Sequence, residues 1–137
     1  MSGPPTDEAV TSAIFQAAVL TAFADGRPEL TEARVVAELV AIDPRFGALA
    51  DPLGLGVAAR ALLVARGIED ALEEILAPIV AADDRRLAFR LCARVMIADD
   101  HTAGDEAMVL GTLQERFAFS PADVRAILDE ERKRRTA

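Results

Sequence analysis

The 137-residue chain contains no tryptophan, no tyrosine and only six phenylalanines, so it offers no aromatic platform. Cysteine and histidine occur once each, as Cys92 and His101. A single cysteine excludes an intramolecular disulfide, and one histidine with one cysteine excludes a Cys/His zinc cluster. No glycine-rich phosphate loop is present. No apolar run approaches the roughly 18 residues needed to span a bilayer. The most apolar segment, "VAARALLVARG", is interrupted by Arg60 and Arg66. The start, "MSGPPTDEAV", has no basic region followed by an apolar one, so no signal peptide is expected. Residues 1–6 read as a short arm, and the compartment as cytoplasmic.

Positive charge is also in deficit: 23 acidic residues face 15 basic ones, giving a net charge of −8. Such a surface repels phosphate backbones, so nucleic acid is not an expected partner. The basic tail "ERKRR" leaves that unchanged, because cations at a helix C-terminus complement the helix dipole.

What remains is a chain that is 52% hydrophobic and 28% charged, dominated by Ala, Leu and Val. That composition is globular, and its length suits one domain, here residues 7–137. Helix signals recur throughout. Asp7 to Ala24 opens after "GPPT" with Thr6 as its N-cap and two acids in the first turn. Thr31 to Ala41 stops before Asp43-Pro44, since a residue preceding proline avoids the helical region. The segment "DPRFGALADPLGLG" reads as loop with a short helical turn.

Val57 to Arg66 follows, with Gly67 as a left-handed C-cap, and then Glu69 to Val80, a helix disturbed at Pro78. Asp84 to Ala98 is the central helix, with Leu87, Leu91, Val95 and Ala98 on one face. Cys92 sits at core spacing within it. Gly104 or Asp105 opens another helix running to Phe117. The last begins at "SPADV", with Ser120 as N-cap and Pro121 at the first helical position. No segment shows strand alternation bounded by hairpin turns. The predicted fold is all-α: six to eight helices in a bundle.

Laid over itself at an offset of 74 residues, the chain repeats a helix–acidic loop–helix unit, about 11–40 and 85–114. Phe15 falls on Phe89, Asp25 on Asp99, Glu32 on Glu106, Val35 on Val109 and Leu39 on Leu113. Two related hairpins packed together bury faces that one alone leaves open, which predicts a pseudo-two-fold bundle. Asp25 and Asp99 close a helix, where the dipole disfavours an acid, whereas Glu32 and Glu106 open one, where it favours an acid. Asp100 and Asp105 add to the second loop.

Two accounts fit this pattern. In the first, each Asp accepts hydrogen bonds from amides of the next helix, and each Glu is an ordinary first-turn acid. In the second, Asp25, Glu32, Asp99, Asp100, Asp105 and Glu106 gather around a divalent cation. All-oxygen ligands suit Ca²⁺, Mg²⁺ or Mn²⁺ better than zinc.

At these residues the sequence resembles the TerB-like family. The first copy reads "FADGRPELTE", the second "IADDHTAGDE", and "LQERFAFSPADVRAIL" is similar to the family's closing helix pair. The resemblance covers Thr11 to Leu128. It implies an all-helical fold with an internal pseudo-two-fold, acidic metal-binding loops and no catalytic activity. It also implies a link to tellurite resistance and to bacterial envelope or chemical stress, often beside membrane-associated partners. Asp25, Glu32, Asp99 and Glu106 match the family's loop positions. Asp100, where the family favours glycine, and the inserted Pro28 depart from them.

Two functions are therefore expected. One is a small non-enzymatic stress protein binding a divalent cation through paired acidic loops. The other is a helical adapter that docks a partner protein, its loops serving only as helix caps. "PRFGALADPLGLG" is the candidate contact segment, with a plain connector as the alternative. Paired carboxylates can do acid–base work, but with so few other catalytic groups an enzyme is not expected.

Overall fold

The structure is a computed structural model that describes residues 7–24, 31–98 and 104–136, with side chains within 7–24, 31–97 and 109–134. Among the described residues it is all-α, with no strand. The helices are α1 Asp7–Phe23, α2 Glu32–Ile42, α3 Pro44–Gly47 and α4 Pro52–Arg66. They continue with α5 Ile68–Leu76, α6 Ala82–Ala98, α7 Gly104–Phe117 and α8 Pro121–Thr136.

Helix α1 is the centre of the bundle because its sequence is apolar nearly all round. Ile14, Phe15, Ala18, Val19 and Leu20 point in different directions and are all buried. A helix of that kind has to be covered on every side, and α1 packs on α6, α4 and α5. Ala17 and Ala18 on α1 and Ala88 and Ala93 on α6 are buried, and small side chains let packed helices come close. Thr21 is the buried polar group of α1. Its hydroxyl donates to the Ala17 carbonyl at 2.9 Å, so no polar atom is stranded there.

Residues matched by the 74-residue offset in sequence are each buried: Phe15 and Phe89, Val35 and Val109, and Leu39 and Leu113. Both α1 and α6 have 17 residues. Each central phenylalanine also meets a second ring edge-on beyond the following helix. Phe15 meets Phe46 at 5.0 Å, and Phe89 meets Phe119 at 5.5 Å.

Most helix starts follow their sequence signals. Thr31 caps α2 by accepting from the Arg34 amide at 3.2 Å. Ser120 and Asp123 form a reciprocal box on α8: the Asp123 amide donates to Ser120 Oγ at 3.1 Å, and the Ser120 amide to Asp123 Oδ2 at 3.4 Å.

"DPRFGALADPLGLG", expected as loop, is mostly helix. Each Asp-Pro supplies an N-cap acid and a proline at the first helical position. Asp43 accepts from the Arg45 amide at 2.9 Å to start α3, and Asp51 from the Gly54 amide at 3.0 Å to start α4. Helix α4 thus begins at Pro52, five residues before the expected Val57. Within this segment Phe46 and Leu49 are core residues, while Leu53 is exposed. Pro78 lies beyond the end of α5 and does not disturb it.

Glycine is required at Gly56, where a Cβ would lie 2.7 Å from Val36 Cγ2; α2 and α4 touch there. Gly67 joins α4 to α5 at φ +81°, and its amide donates to Leu63 O at 2.9 Å.

Candidate functional site

Of the six acidic residues predicted to gather, Glu32 alone has a described side chain. It sits at the start of α2, where Gly56 lets α4 approach, and this places Arg60 beside it. Arg60 Nη1 lies 3.1 Å from Glu32 Oε1, and both side chains are about one-third exposed, 34% and 30%. The same guanidinium covers the Phe23 ring at 4.6 Å. Glu32 is held below the ordinary carboxylate value of 4.5, first by a hydrogen bond from its own backbone amide and then by Arg60, with partial desolvation opposing both.

Asp25, Asp99 and Asp100 lie outside the described residues, as do Thr6, Pro28 and His101. Asp105 and Glu106 are placed by their backbone in the first turn of α7, as Glu32 is in α2; their side chains lie outside the described set. Among the described residues, no three His, Cys, Asp or Glu side chains come together.

Cys92 is fully buried, and its thiol is pushed up to about 12 by desolvation, against a smaller opposing hydrogen bond with Thr21. Such a thiol stays protonated at neutral pH and is a poor nucleophile. This agrees with the core role expected for it.

Sequence reasoning missed the most buried charge. Glu131 of α8 has a side chain that is 0% exposed and locks onto α6. Arg94 holds it with two bonds, Nε to Oε2 at 2.9 Å and Nη2 to Oε1 at 3.2 Å. Arg90 Nε approaches to 3.7 Å and Arg134 Nε to 3.6 Å. Within "ERKRR", then, the glutamate is an anchor between helices. Its one sequence signal is Arg90 and Arg94, spaced i, i+4 in an otherwise apolar stretch of α6.

A groove of about 380 Å³ opens between α1, α4 and α5. Ala13 and Ile75 form its buried floor, Ala58 and Leu62 one wall, and Glu74 stands on the rim. Arg66 approaches Glu74 at 3.6 Å, both more than half exposed.

Comparison with family models, with curated proteins and with solved structures finds no match to this chain.

Proposed function

We propose that this chain is a non-enzymatic helical adapter, in which the acid opening α2 serves the fold and the work is done by docking a partner protein. The Glu32–Arg60 pair carries this reading. A carboxylate already satisfied by a guanidinium and its own amide gains little from a cation, and releasing it would break the link to Arg60. The buried, protonated Cys92 adds support, since it removes the one thiol from reactive chemistry. Thermal melts in Ca²⁺, Mg²⁺ and Mn²⁺ test the proposal. The curves should match those in sodium at equal ionic strength, because only a ligand of the folded state raises Tm by mass action. A rise with divalent concentration that Asp25→Asn and Asp99→Asn remove would overturn it.

A TerB-like cation-binding stress protein is the second reading. Its support is the 74-residue sequence repeat, together with Glu106 in the first turn of α7 as Glu32 is in α2.

A further inference from the structure

We draw no further inference here: the strongest candidate, the outward face of α4 on which Leu53, Val57 and Val64 stand exposed, carries none because nothing in the structure shows what covers it.

Discussion

Arg60 joins two jobs in one side chain: its guanidinium bonds Glu32 at 3.1 Å and lies over the Phe23 ring at 4.6 Å. The end of α1 and the start of α2 are thereby tied to the middle of α4. Because folding lowers the affinity of Glu32 for a proton, its stabilisation is full above the ordinary value of 4.5 and is lost as pH falls through the lower folded value. Glu32→Gln should therefore melt earlier than the parent at pH 7, and the two curves should converge in acid. A gap that persists unchanged to the lowest pH would mean that the charge is not what Glu32 contributes.

The Glu131 anchor predicts a larger effect. Glu131→Ala removes the carboxylate that Arg94 and Arg90 share, and breaking a buried pair on one side costs about 3–5 kcal/mol. Partial exposure of both arginines places the expected loss at the lower end. Urea denaturation measures it; a loss below ~1 kcal/mol would show that α8 does not depend on this contact.

Two glycines should respond in opposite directions. Gly111, in α7, has nothing within 4 Å of an added Cβ, so Gly111→Ala should stabilise by about 1 kcal/mol through helix propensity. Gly56→Ala has the same propensity gain but drives a methyl into Val36, where overpacking costs about 1–3 kcal/mol. The second variant should be net destabilised in the same urea assay, and equal stabilisation of both would deny the close α2–α4 approach.

Ala118 ends α7 at φ +58°. The Phe119 amide reaches Gln114 O at 3.0 Å and the Ala118 amide reaches Glu115 O at 3.3 Å, a left-handed helix stop that favours glycine. Ala118→Gly should raise stability by about 0.5–1 kcal/mol. A fall would mean that the Ala118 methyl contributes packing that outweighs its strain.

Leu91 is buried as its spacing on α6 predicts, so Leu91→Ala should cost about 2–5 kcal/mol. A loss below ~1 kcal/mol would mean that the central helix packs differently.

The helices were legible in the sequence where a local signal decides them. Thr31 and Ser120 are capping residues by chemistry, and both cap. Asp43-Pro44 and Asp51-Pro52 misled because proline ends one helix and opens the next with the same ring geometry. The site was less legible, because its partners are distant in sequence. Nothing near Glu32 announces Arg60, which arrives only because Gly56 lets α4 lie against α2. Glu131 looked like one acid in a charged tail, and only packing on α6 shows that it is buried. The groove belongs to three helices at once, and no single stretch encodes it.

The central claim is that the acid opening α2 serves the fold rather than a cation. The most direct measurement is paramagnetic broadening of amide resonances by substoichiometric Mn²⁺. The account predicts weak broadening scattered over the exposed acids and suppressed by added salt, as expected for a −8 surface. Selective, salt-resistant broadening centred on residues 25–32 and 99–106 together would contradict it.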